Sequence, residues 1–165
     1  MLYQHYRSGT GKKIKLDYAK ANREDSYYWK KNQILIKMAQ KNAKKFYKKK
    51  RKKQFFMYSE LYTIGNGNDE NWQKSIGGHQ VWANCMVVKH TKKKFVMCII
   101  ISFRDKYNFN RGQKDIGSGA PDDENGRFEE LGWARSFETY GAMAKIITWE
   151  KYSSKYKFIE PNGKR

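Results

Sequence analysis

The run Phe95-Val96-Met97-Cys98-Ile99-Ile100-Ile101-Ser102-Phe103 constrains this chain more than any other stretch. It is short, β-branched and aromatic, so it reads as a buried strand. Both of its faces are apolar, which requires a central place in a sheet, with a neighbour on each side. One neighbour is local. Residues 79–90 read as a strand, and His90-Thr91-Lys92-Lys93-Lys94 as the turn of a hairpin. Further strands are expected within 54–64, 144–149 and 156–159. In the first of these, Phe56, Tyr58, Glu60 and Tyr62 alternate with Phe55, Met57, Ser59 and Leu61.

Ahead of these strands the pattern changes to a helical period. Over 26–53, Tyr28, Leu35, Ala39, Ala43 and Phe46 recur at helical spacing, with Ser26 placed to cap the start. The charge divides at the same point. Residues 1–53 hold 18 Lys/Arg against 3 Asp/Glu, and residues 54–165 hold 17 against 13, within a net charge of +19. The expected organisation is therefore α+β: a basic, largely helical arm over 1–53, then an antiparallel β-rich domain over 54–165. So basic a chain is expected to meet anions, whether phosphates, headgroups or acidic proteins. Lys48, Lys49, Lys50 and Arg51 begin a run of six cations at the helix end and are the first candidates for anion binding.

Two classes are excluded early. No apolar run approaches the ~18 residues of a membrane span. Two cysteines, Cys85 and Cys98, make neither a zinc site nor a disulfide scaffold. A turn centred on Thr91-Lys92 would set them opposite each other, so a cross-strand disulfide stays open beside the simpler expectation of two buried thiols. The start, Met1-Leu2-Tyr3-Gln4-His5, has no apolar core segment of a signal peptide. Export would have to depend on another segment, as in a fragment of a larger secreted carrier.

The polar residues that carry chemistry follow the apolar run: Arg104-Asp105-Lys106-Tyr107-Asn108-Phe109-Asn110-Arg111-Gly112, then a Gly- and Asp-rich loop over 115–127. Cleavage of a phosphate ester or pyrophosphate needs a positioned nucleophile and neutralisation of the phosphoryl oxygens. Asp105 would orient a water or hold a divalent ion, with Asp115 as the second carboxylate for Mg2+. Tyr107 would donate to a leaving oxygen, Asn108 would orient the substrate, and Arg127 or Arg111 would clamp the phosphate bidentately. Each has a structural alternative: Asp105 paired with Arg104 or Lys106, Tyr107 in the core, Asn108 in a turn, Arg127 in a loop ion pair. His79, at the entry of its strand, is expected to be a hydrogen-bonded structural residue. Residues 128–137 are expected to form a short helix with Leu131, Trp133 and Ala134 inward.

Asp105-Lys106-Tyr107-Asn108-Phe109-Asn110, leaving an apolar hairpin ahead of a Gly-rich polar loop, resembles the C-terminal active region of colicin M-type bacteriocins. With Asn125-Gly126-Arg127-Phe128 and Leu131-Gly132-Trp133-Ala134, the segment is also similar to C-terminal domains of polymorphic interbacterial toxins. The resemblance spans roughly residues 77–149 and leaves out the basic arm. Asp105 and Tyr107 fall on family positions. Asn108 stands where the family has a second Asp, and Lys114-Asp115 where it has His-Arg. The resemblance implies a colicin M-like fold and a secreted antibacterial toxin domain that hydrolyses lipid II, the lipid-linked pyrophosphate precursor of peptidoglycan, in the target periplasm. It also implies a larger carrier and an immunity protein, acidic where it covers the arm. A monomer is expected. Two other readings fit the charge: a basic RNase acting on RNA in the target cytoplasm, and a non-enzymatic module binding membrane or nucleic acid.

Overall fold

A computed structural model describes residues 1–109, 112 and 122–159. The elements, in chain order, are α1 (Leu2–Arg7), β1 (Ile14–Lys15), α2 (Tyr18–Glu24), α3 (Ser26–Lys50), β2 (Gln54–Tyr58), β3 (Tyr62–Ile64), α4 (Glu70–Ser75), β4 (His79–Lys89), β5 (Lys94–Tyr107), α5 (Asp123–Glu130), β6 (Phe137–Glu150) and β7 (Lys157–Ile159). The sheet has seven strands in the order β1-β6-β5-β4-β2, with β3 also on β4 and β7 also on β6. Every pairing is antiparallel except β1 with β6. The α+β expectation holds at this level, and the apolar run lies on β5, the middle strand of that order.

Helices pack on one face of the sheet. The 25-residue α3 turns Tyr28, Asn32, Leu35, Ile36, Gln40, Ala43 and Tyr47 inward. These apolar side chains share one core with Val81, Met97, Ile99, Ile101, Phe103 and Ile147 of the sheet. The helical part of 1–53 therefore shares its core with the strands that follow. Asp25, not Ser26, caps α3: its Oδ1 accepts from the backbone of Tyr27 and Tyr28. Its Oδ2 accepts from the backbone of Asn68 and Asp69, so one carboxylate ties the helix start to the loop after β3. Arg51, left-handed at φ 57°, ends the helix.

Residues 54–64 do not make one strand. β2 pairs Tyr58 with Asn84, whereas β3 pairs Tyr62 with Val81, so the register slips by one residue between them. This is a β-bulge, and it inverts the inward parity. Phe55 and Met57 face the core before it, Tyr62 and Ile64 after it. Leu61, expected on the side of Phe55, is 62 % exposed. The hairpin register also settles the thiols. Cys85 pairs with Ile99 and Cys98 with Met86, which places the two cysteines on opposite faces, and both are free. The helix expected within 128–137 begins earlier, at Asp123, and leaves Leu131 and Trp133 exposed; only Ala134 of the three is buried.

β5 continues to Tyr107, four residues beyond the apolar run. Asp105 and Tyr107 are therefore strand residues on the helix-facing side, not members of a surface turn. A small second core surrounds this end: Tyr6, Ala134 and Phe137, with Tyr107, Phe109 and Phe128 packed against it.

Candidate functional site

Three polar side chains share one row across the sheet, on its helix-facing side. Asp105 pairs with Thr139 on β6. The last β4–β5 pair is Gln80 with Arg104, so His79 lies next to Asp105 in that ladder. His79 and Thr139 are buried, and Asp105 is partly so. Rows flanking this one are apolar, with Val81 and Phe103 on one side and Phe137 with Tyr107 on the other. The row is thus a polar line through a dry region, where hydrogen bonding is obligatory.

Helix α2 and the start of α3 supply the partners above it. The His79 ring meets Tyr18 Oη at Nε2 (2.9 Å) and the Gly77 carbonyl at Nδ1 (3.0 Å). A carbonyl only accepts, so Nδ1 bears the proton and Nε2 accepts from the Tyr18 hydroxyl. Tyr18 Oη accepts in turn from Asn32 Nδ2 (2.8 Å), which also donates to Asn22 Oδ1 (2.7 Å). Asn22 Nδ2 closes the set on the Tyr18 carbonyl (2.8 Å). Tyr28 Oη donates to the Gly77 carbonyl (2.9 Å), and its ring lies edge-on to His79 at 4.9 Å. Asn32 Oδ1 and Thr139 Oγ1 are buried without a partner among the described residues.

Electrostatics follow from burial. Loss of solvent lowers His79 to about 4 and holds it neutral, consistent with its accepting from Tyr18. The same desolvation raises Tyr18 to about 12 and pushes Tyr28 up further, with Asp25 and Asp105 adding to the shift at Tyr28. Asp105 rises to about 6, also through burial, against the opposing bond from the Lys106 backbone N–H. A carboxyl titrating there exchanges a proton near neutrality, as a general acid or base requires. The flanking cations do not neutralise it. Arg104 and Lys106 alternate to the outer face of β5, where Arg104 lies 3.9 Å from Glu138.

The other residues expected in the site are dispersed. Tyr107 shares the Asp105 face but packs into the second core, with ring centroids 5.1 Å from Phe137 and 5.7 Å from Phe109. Asn108 follows the strand end and is half-buried. Arg127 lies exposed on α5, and no hydrogen bond or ion pair among the described residues joins it to Asp105. Arg111 and Asp115 lie outside the described residues. Lys48, Lys49, Lys50 and Arg51 are exposed at the far end of α3. Tyr47 beside them packs edge-on against Phe95, ten residues before Asp105 on β5, a separation of about 33 Å. Among the described residues no group of three His, Cys, Asp or Glu could hold a metal ion.

His79 was expected to be structural, and its hydrogen bonds are those of a structural residue; its place beside Asp105 is new. Thr139, Tyr18 and Tyr28 carried no motif. Asn32 carried a signal: an amide one turn after Tyr28 on the apolar face of a helix needs buried partners.

The lysine run does not stand alone. The Lys89 N–H donates to the Lys53 carbonyl (2.7 Å), and the Lys151 N–H to the Lys93 carbonyl (2.6 Å). The end of α3, the β4–β5 turn and the segment after β6 thus converge in one basic pole. Exposed Lys37, Lys41 and Lys45 extend it back along α3. No family model, curated protein or solved structure matches this chain.

Proposed function

We propose that this chain is the hydrolytic domain of an antibacterial toxin, acting on a phosphate-bearing substrate with Asp105 as its proton-handling group. One observation carries the reading: a partly buried carboxyl at about 6, set in a row with neutral His79 and the unpartnered Thr139 hydroxyl. Asp105 would take a proton from the attacking water or hydroxyl. The Thr139 hydroxyl is free to bond that carboxylate, and the His79–Tyr18–Asn32 chain fixes the wall behind it. Of the row, Asp105 alone offers a carboxylate, too small a set for a divalent ion. Mg2+ would require a second carboxylate, the role expected of Asp115.

The colicin M-like resemblance makes lipid II the substrate and the target periplasm the place of action. The arrangement of cations favours the second reading, RNA. A single pyrophosphate needs its cations at Asp105, whereas the exposed lysines run along α3 to a pole about 33 Å away. A track of that length suits a polyanion with many phosphates. Under either reading the protein is delivered to another bacterium by a carrier and neutralised there by an acidic immunity partner.

The test is expression of the domain in a bacterium, directed to the periplasm or kept in the cytoplasm, beside Asp105→Asn. Killing that Asp105→Asn abolishes with the fold intact supports the enzyme. Periplasmic killing with lipid II loss selects the first substrate, and cytoplasmic killing with degraded RNA the second. Undiminished killing by Asp105→Asn would refute the enzyme and leave a non-enzymatic binding module.

A further inference from the structure

The sheet has a second face that no described helix covers. α2, α3 and the Trp72 side chain of α4 pack on the main core, while α1 and α5 meet the second one, all on the opposite side. On the bare face one row runs Phe56, Met86, Cys98, Ile146, Ile159 across β2, β4, β5, β6 and β7. Ile100 and Ala144 continue it in the next row, and Trp82 and Ala142 in the one after. Phe56 is 72 % exposed, Ile100 43 %, Ile159 39 % and Met86 38 %.

At ordinary strand spacing and rise, these rows span about 19 Å by 13 Å between their outermost Cα positions, and with half a spacing added around them they cover roughly 400 Å² of mostly apolar surface. That reaches the size at which exposed apolar patches mark an interaction site. The rows through Cys98, Ile100 and Ser102 carry no charged side chain, although the chain has a net charge of +19. Charges on this face stand around these rows: Lys157 borders them on β7, Lys94 pairs in register with Glu150, and Arg104 lies near Glu138.

We infer that this face binds a second copy of the same chain, sheet against sheet, about a two-fold axis. An acidic protein or an anionic membrane would find its counter-charges on α3 and at the basic pole, not here. Two strongly cationic copies, by contrast, can meet only where lysines are missing, and these central rows are that place. The apolar patch forms the middle of an interface whose polar rim brings it toward the ~800 Å² per partner of a stable dimer. Two sheets packed face to face in this way have the aligned geometry of sheet sandwiches. This assembly replaces the monomer expected from sequence and is independent of the chemistry at Asp105.

The test is sedimentation of the purified, nuclease-treated chain from low micromolar to submillimolar concentration, at low and high salt. A dimer that tightens with salt is expected, because salt screens the repulsion between copies. Ile100→Lys and Ala144→Glu should each weaken it by roughly 30-fold or more, since a two-fold axis brings each substitution in twice. Their opposite charges separate loss of the apolar contact from a change in net charge, and unchanged circular dichroism and melting establish that each has folded. A wild-type chain that stays monomeric throughout overturns the proposal. So does a dimer indifferent to both variants, or association that salt dissolves.

Discussion

Replacing Asp105 by Asn should make the protein more stable at neutral pH while removing the proposed hydrolytic activity. Burial raises this carboxyl from 3.8 to about 6. Below 3.8 both folded and unfolded chains hold the proton. Between 3.8 and 6 the unfolded chain gives it up first, so stability falls as pH rises through this window and stays reduced above it. A shift of about two units corresponds to about 3 kcal/mol at full effect. Asp105 is only partly buried, and solvent screening reduces this to about 1–2 kcal/mol. An Asn here never ionises, and its amide can donate to Thr139 Oγ1, which has no partner among the described residues. Urea unfolding followed by tryptophan fluorescence should show Asp105→Asn more stable than wild type at pH 7.5 by about 1–2 kcal/mol, or a melting temperature higher by about 3–6 °C. At pH 4 the difference should shrink toward zero. A variant less stable at pH 7.5, or one with the same offset at both pH values, would mean that the Asp105 carboxylate is not desolvated.

Other consequences can be measured in the same way. His79 is shifted to about 4 from 6.5, so its contribution has the opposite sign: present above 6.5 and lost as pH falls toward 4. In wild type it offsets Asp105 over most of that range; in Asp105→Asn a decline of about 3 kcal/mol between pH 6.5 and 4 should be uncovered, and a flat profile would contradict the buried neutral ring. Asp25→Ala removes a helix cap and leaves the N–H groups of Asn68 and Asp69 without their acceptor, which should cost about 2–4 kcal/mol in urea unfolding. Gly67→Ala should cost about 1–3 kcal/mol, because an added Cβ would press on the Asp25 carboxylate and come within 2.8 Å of the Tyr28 ring. Thiol titration should find Cys85, raised to about 12, unreactive in the folded protein and both cysteines reactive after unfolding; a Cys85–Cys98 disulfide within one chain would refute the opposed faces.

What was legible in the sequence followed from strong periodicity. The apolar run fixed a central strand, the lysines fixed its hairpin, and the inward side chains of α3 announced a helix. The bulge escaped because Phe55 to Tyr62 alternate without a visible break; the one-residue slip is made where Ser59 exchanges hydrogen bonds with Ala83. Asp105 stood out as a candidate by its place after an apolar strand. Its surroundings were not legible, because Thr139 comes beside it through strand register and Tyr18 and Asn32 meet the neighbouring His79 through packing of distant segments, neither of which has a local pattern. The distance between Asp105 and the lysines has no local pattern either: the length of β5 keeps Lys48 to Arg51 at the other end.

The rims of the sheet are short. β1 has two residues and β7 three on one side, and β2 and β3, five and three, are broken by the bulge on the other. Strand addition from one molecule to the next finds no straight backbone ladder there to copy. Assembly through the bare face would then close at a definite number of copies rather than extend edge to edge as a fibre.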